Sequence, residues 1–220
     1  AALVRFGLWD ELIALTAPDP RAQGLSAGYL YGRGVALAAR GRVEDAKAAL
    51  TELHKLGTEV PADALAGFNS LRDVIGVAEP IVAARIAASE RRDADAVAAL
   101  RRAAAAEDKL NYNEPADWFF PVRHLLGAQL LLSGHPAEAE QVYREDLKRN
   151  PQNGWSLYGL SLALKAQGKT QAAARFAREY VAAWRHADLR LPGSAFWFAG
   201  PDTLSCECQR VAAVGGRSPW

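Results

Sequence analysis

The 220-residue chain can form one large domain or two small ones, and its 26 basic and 25 acidic side chains leave a formal net charge of +1. That balance provides no attraction to nucleic acid or to an anionic membrane surface, so neither is expected as a partner. Apolar runs stay shorter than the ~20 residues that a membrane-spanning helix needs. The first residues also lack the basic and apolar segments of a signal peptide, which favours a soluble protein. The compartment stays open, with the cytoplasm favoured.

The chain opens without Met, inside a stretch that the pattern predicts to be helical. We therefore interpret it as the C-terminal portion of a longer protein. Ala, Leu, Arg, Glu and Gln fill most segments, and runs of β-branched residues are nearly absent, which is typical of helices. Short breakers such as "RGR", "SGHP" and "QGK" separate the helical runs. They are long enough only for a turn between two antiparallel helices.

One phrase recurs along the chain around a turn residue. Gly7 marks the turn of a leading half-unit, and Gly41, Gly134 and Gly168 mark further copies, of which the last two lie 34 residues apart. Arg91 stands at the turn of a weaker copy. Glycine allows the positive φ that such a turn requires. A small residue seven positions before the turn lets two helices approach closely. These small residues are Gly34, Ala84, Gly127 and Ser161.

The stretch "VRHLLGAQLLLSGHPAEAEQVYREDLKRNP" resembles the tetratricopeptide repeat (TPR) family, whose unit is a helix–turn–helix of ~34 residues. Further units resemble it over residues 29–53, 80–104 and 153–184. The longer phrase that begins "EPADWFFPVRH" is similar to a group of bacterial TPR-repeat proteins. The resemblance implies an all-α fold, a right-handed α-solenoid of antiparallel helix pairs with an irregular C-terminal cap. The residues that carry the match are Gly127, Gly134, Ala139, Tyr143 and Pro151.

These units divide the chain into three parts. Residues 1–20 correspond to the second half of a leading repeat, 21–187 to TPR-like repeats, and 188–220 to a non-repeat tail or cap. Insertions interrupt the repeats near 57–79 and 111–120. We expect the first insertion to lengthen helices or to add a turn. The aromatic run "WFF" of the second is expected to be buried between repeats or to form a contact surface.

The resemblance also implies a concave groove lined by the first helix of each pair. Aromatic and cationic side chains at its inward positions suit an extended peptide, since aromatic faces supply contact area and cations select acceptors. We therefore predict a non-catalytic scaffold that binds a protein or peptide, with self-association through the leading half-unit as a further hypothesis. The predicted groove residues are Tyr31, Arg85, His124, Trp155, Tyr158 and Lys165.

A metal or redox role is the alternative, and it depends on the tail. Cys206 and Cys208 form "CEC", and two thiolates one residue apart can bind a soft metal ion. A structural zinc site needs four ligands, and the chain has two Cys and four scattered His. No phosphate loop, nucleophile elbow or zinc-protease motif is present, and "REDLKR" is interpreted as a solvated helix face. We therefore predict no catalytic residue and no other cofactor, while a portion of a larger enzyme stays open.

Overall fold

A computed structural model describes residues 1–188 and 191–196 of the chain. No helix of these residues is both long and apolar enough to cross a membrane. The helices are α1 (Ala2–Arg5), α2 (Trp9–Ala14), α3 (Gln23–Ala39), α4 (Val43–Glu59), α5 (Leu71–Ser89), α6 (Asp93–Glu107), α7 (Val122–Leu132), α8 (Pro136–Arg149), α9 (Gly154–Ala166) and α10 (Thr170–Ala183). Two short antiparallel strands, β1 (Leu65–Ala66) and β2 (Asn69–Ser70), form a hairpin before α5.

The helices form pairs that stack side by side. Four pairs, α3 with α4, α5 with α6, α7 with α8 and α9 with α10, pack along their lengths. The second helix of each pair also packs on the first helix of the next pair. First helices contact one another too, α3 with α5 and α7 with α9. The predicted fold class, an all-α solenoid of antiparallel helix pairs, is therefore confirmed.

Five turns share one backbone geometry. The glycines at positions 7, 41, 134 and 168 have φ between +67° and +77°, and Arg91 has φ of +58°. The residue after each turn donates its amide to the carbonyl five positions before it, as Arg42 does to Leu37 (2.9 Å) and His135 to Leu130 (2.8 Å). This bond is the mark of a Schellman motif. The turn predicted at Arg91 thus forms, although Arg lacks the conformational freedom of Gly.

Glycines also set the closest approach between helices. A Cβ on either Gly127 or Gly159 would overlap the end of the Tyr143 ring, so this ring lies between α7 and α9. In the last pair the sequence pattern placed the small residue at Ser161. That assignment concerns the contact within the pair and stays a prediction, whereas Gly159 is the residue of α9 that meets α8 of the preceding pair. Gly32 of α3 makes the same kind of close contact with α2, because a Cβ on Gly32 would lie 2.9 Å from Leu12.

The first insertion extends two helices and adds the hairpin between them. Ser70 caps α5, since its Oγ accepts the amide of Asp73 (3.0 Å). Pro80, at which the sequence pattern began this unit, lies inside α5. The predicted start is wrong because the cap at Ser70 begins the helix earlier. Pro80 removes only the helical donor to the carbonyl of Gly76, and that residue is exposed to water.

We predict that Arg91→Gly raises the free energy of unfolding by about 1 kcal/mol. A side chain at positive φ costs ~1–2 kcal/mol, and the greater freedom of Gly in the unfolded chain offsets part of the gain. Urea unfolding followed by circular dichroism measures the change. Gly41→Ala provides the reverse test, because no atom lies within 4 Å of the added Cβ. It should lower the free energy of unfolding by a similar amount.

Arg91→Ala is the matched control for this prediction. It removes the charge and the long side chain but keeps the Cβ that makes positive φ unfavourable, so stability should change little. Equal gains from Arg91→Gly and Arg91→Ala would contradict the backbone explanation and assign the effect to the lost side chain.

Candidate functional site

The central site is the surface of α7 and α9 that carries His124 and Trp155, whose rings stack with their centroids 6.4 Å apart. Arg5 reaches it from α1. The Arg5 guanidinium carbon lies 3.8 Å from the centroid of the Trp155 ring and 4.9 Å from that of Phe120. Burial lowers the pKa of Arg5 to about 10, against the attraction of Asp146 that raises it. Arg5 therefore stays charged at neutral pH and joins the start of the chain to its third and fourth helix pairs.

His124 connects this cation to a buried carboxylate. Arg5 can only donate, so its Nη1 donates to Nδ1 of His124 (3.2 Å), and Nε2–H of His124 donates to Asp146 Oδ2 (3.2 Å). Burial lowers the pKa of His124, which keeps the ring neutral. Asp146 also accepts Ser156 Oγ (2.5 Å) and Asn150 Nδ2 (3.0 Å). Burial opposes ionisation, but these hydrogen bonds hold the pKa of Asp146 below its ordinary value.

The hydrogen bonds among His124, Asp146 and Ser156 differ from those of a catalytic triad and have a structural role. In a hydrolytic triad the serine hydroxyl is bonded to the imidazole that takes its proton. Here Ser156 donates to Asp146, and both Ser156 and His124 are fully buried. The sequence interpretation of "REDLKR" as a solvated face is wrong at Asp146, which is 1% exposed. A signal was present, since Asp146 follows Val142 and Tyr143 by one helical turn and so lies on their buried stripe.

Residues 191–196 lie against the central site. Ser194 is 2% exposed, and its Oγ donates to the carbonyl of His124 (2.9 Å) and lies 2.6 Å from the Tyr143 hydroxyl. The Phe196 ring meets Trp155 edge-on, with centroids 5.8 Å apart, and Phe6 at 6.1 Å. Both ends of the described chain therefore meet on α7 and α9.

The predicted groove residues lie in different surroundings. His124 and Trp155 come together in the central site, beneath Arg5 and Phe196. Tyr31 is buried and packs edge-on against Trp118. The other three sit elsewhere on the first helices. Arg85 is half-buried and burial lowers its pKa to about 10, Tyr158 is half-buried with its ring 4.8 Å from that of Tyr180, and Lys165 is exposed at the end of α9.

The aromatic run of the second insertion bridges helix pairs. Trp118 and Phe120 are buried, while Phe119 is 38% exposed. The Trp118 ring lies 5.1 Å from Tyr31 of α3, and Phe120 lies beneath Arg5. The run thus links the first pair to the third, which is the burial between repeats expected of it.

The two insertions also contact each other, which the sequence analysis missed. Asp117 accepts the amide of Phe68 (2.9 Å), the Asn69 side chain (2.7 Å) and the Asn113 side chain (2.8 Å). These bonds hold the β1–β2 hairpin, and they leave Phe68 74% exposed. A signal was present in the pair Gly67-Phe68, since Gly at the first position of a two-residue loop is typical of a type II′ hairpin. Gly67 has φ of +68°.

A second carboxylate, the half-buried Glu107 at the end of α6, meets the start of α7. Glu107 Oε2 accepts the amide of Val122 (2.9 Å), and Arg123 donates two hydrogen bonds to the neighbouring Asp108 (2.7 and 2.8 Å). Burial raises the pKa of Glu107 to about 7, although the Val122 amide and Arg123 act in the opposite direction. Arg123 holds the pKa of Asp108 below its usual range. The pKa of Glu107 is thus raised and that of the adjacent Asp108 is lowered, so the two carboxyl groups stabilise the fold in opposite pH ranges.

The predicted thiol site of Cys206 and Cys208 lies outside the residues that the structure describes. It stays a prediction. Within residues 1–188 and 191–196, His, Cys, Asp and Glu form no cluster of three that could hold a metal ion.

No protein-family model matches this chain, and no curated protein sequence matches it. Among solved structures, a Podosopora anserina kinesin light chain with nearly identical TPR-like repeats is similar at 19% identity and a TM-score of 0.49. The alignment covers 81% of this chain and 84% of that one. A likeness at this level supports no argument about family or function. The architecture rests on the helix pairs and turns of the chain itself.

We predict that Glu107→Gln stabilises the protein at pH 8 by about 3 kcal/mol, taking 1.36 kcal/mol per pKa unit. The pKa of Glu107 is raised in the folded chain. Its contribution to stability is therefore complete below the unfolded value near 4.5 and is lost as the pH rises through about 7. Gln keeps an acceptor for the Val122 amide without the buried charge. Urea unfolding at pH 4.5 and pH 8 measures the effect, which should nearly vanish at the lower pH.

Asp108→Asn is the matched control, because the pKa of Asp108 is lowered by Arg123. This contribution is present above the unfolded value and lost at acid pH, so Asp108→Asn should destabilise the chain at pH 8. The same sign of change in both variants at pH 8 would contradict the assignment of a raised pKa to Glu107.

Proposed function

We propose that this chain is a protein-interaction scaffold that holds a short peptide segment on the central site. One observation carries the proposal: the central site already seats an irregular, bent stretch of polypeptide, residues 191–196, through an aromatic side chain and a hydroxyl group. A surface that accommodates such a segment has the shape and chemistry that peptide recognition needs.

The mechanism is recognition by a preorganised surface. Trp155 and His124 are fixed by helix packing, and Arg5 is fixed over them by hydrogen bonding and by the attraction between a cation and an aromatic ring. Binding then orders few side chains of the scaffold, which lowers its entropic cost. Aromatic surface provides contact area, and the neighbouring polar groups provide selectivity.

Selection from a phage-displayed library of random peptides tests the proposal. The full chain is used, both as wild type and as Phe196→Ala, so that a covered site is not mistaken for an inactive one. We predict that selected peptides crosslink to a photoreactive residue at position 158 on α9, one turn from Trp155. Trp155→Phe should weaken their binding about tenfold, because it removes contact area while keeping an aromatic ring.

A photoreactive residue at position 68 is the control, since Phe68 is exposed on the hairpin of the first insertion. Crosslinking at 68 in preference to 158, or no selected peptide with either form of the chain, would sink the assignment of the central site.

A further inference from the structure

Residues 191–196 occupy the central site as a bound peptide would. Leu191, Ser194 and Ala195 are buried against it. Among the described residues, no backbone–backbone hydrogen bond joins this segment to a helix. Its described polar contacts come from one side chain, that of Ser194. The site therefore selects its occupant by side chains rather than by backbone pairing.

The position of Ser194 is built for a hydroxyl group. The Tyr143 ring passes between Gly127 and Gly159, so its hydroxyl reaches Ser194 from the far side of the two helices. The carbonyl of His124 can only accept, so Ser194 Oγ donates to it and in turn accepts from Tyr143. A residue without a hydroxyl at this position would leave the buried Tyr143 hydroxyl without that acceptor, which is unfavourable for a buried polar group.

Two residues further on, the site is built for an aromatic ring. Phe196 meets the edges of Trp155 and Phe6, and Gly7 leaves room for it, since a Cβ there would lie 3.3 Å from that of Phe196. Aromatic pairs in this edge-on arrangement attract each other beyond the burial of their surfaces. The spacing of the two subsites is therefore that of a hydroxyl residue and an aromatic residue at i and i+2.

We propose that the central site binds a short irregular segment of a partner protein with Ser or Thr two positions before an aromatic residue, and that residues 191–196 are its resident occupant. The inference rests on the proposed function and names its ligand class. Segment 191–196 belongs to no helix pair, and the partner segment binds by displacing it. The fraction of chains with the segment displaced then limits the apparent affinity of any competing peptide.

A fluorescent peptide with the sequence of residues 188–198 is the probe. It is titrated into the full wild-type chain and into the full chain with Ser194→Ala and Phe196→Ala. The double variant no longer holds its own segment firmly, so the probe should bind it at least ~10-fold more tightly, as a tenfold rise in the open fraction requires. Probes with Ser→Ala or Phe→Ala at the positions of 194 and 196 should each lose about tenfold in affinity. A probe with Leu→Ala at the position of 191 is the matched control and should lose less.

Equal affinity for the wild type and the double variant would overturn the resident role of the segment. Unchanged affinity of the altered probes would overturn the hydroxyl–aromatic pattern. If library peptides crosslink at position 158 yet the probe binds neither chain, this inference fails while the proposed function stands.

A second arm applies if the double variant loses its helical circular dichroism. A protease site in place of residues 189 and 190 allows the segment to be cut after the full chain has folded. The cut fragment should dissociate on dilution and be replaced by the probe. A fragment that stays bound and never exchanges would show that the segment is permanent core, and would overturn the proposal.

Discussion

The passage of Tyr143 between Gly127 and Gly159 is the contact on which the architecture of the second half of the chain depends. The ring fills the junction of α7, α8 and α9, which a side chain on either glycine would close. Its buried hydroxyl emerges beside the carbonyl of His124 and meets Ser194. One side chain therefore sets the helix spacing and also presents a polar group to the central site. Replacing either glycine would affect packing and recognition together.

Charge balance is the second constraint on this region. Asp146 is buried with three neutral donors around it, and His124 connects it to the cation Arg5. Leaving a buried charge without any compensating group is strongly destabilising, much more so than leaving a surface charge unpaired. The neutral state of His124 follows, because Arg5 occupies one ring nitrogen as donor and Asp146 requires a proton on the other. The polar network is thus fully determined by a cation at one end and an anion at the other.

Features that depend on nearby residues could be predicted from the sequence. The turn at Arg91 was found because its neighbours keep the repeat pattern, and the aromatic run around Trp118 was expected to be buried because of its composition. Contacts between distant residues could not be found in this way. Arg5 and His124 are 119 residues apart, and a single sequence contains no record of their approach. Asp146 lies on a buried stripe, yet its charged neighbours suggested a solvated face. Gly67 indicates a hairpin, but the helical pattern on both sides of it favoured longer helices or a turn.

Two segments without a repeat pattern cover the central site, and their attachment differs in kind. α1 is held by the half-buried Arg5, which donates to His124 and lies over the Trp155 ring, and hydrogen bonds from a charged donor are stronger than neutral ones. Segment 191–196 is held by two neutral hydrogen bonds of Ser194, each worth about 1 kcal/mol net, and by the packing of Phe196 and its buried neighbours. A competing peptide with a hydroxyl group and an aromatic ring can reproduce the contacts of segment 191–196, whereas loss of α1 would remove the charged donor to His124. Arg5 and Phe6 therefore belong to the wall of the site, and the exchangeable cover is the segment that carries Ser194 and Phe196.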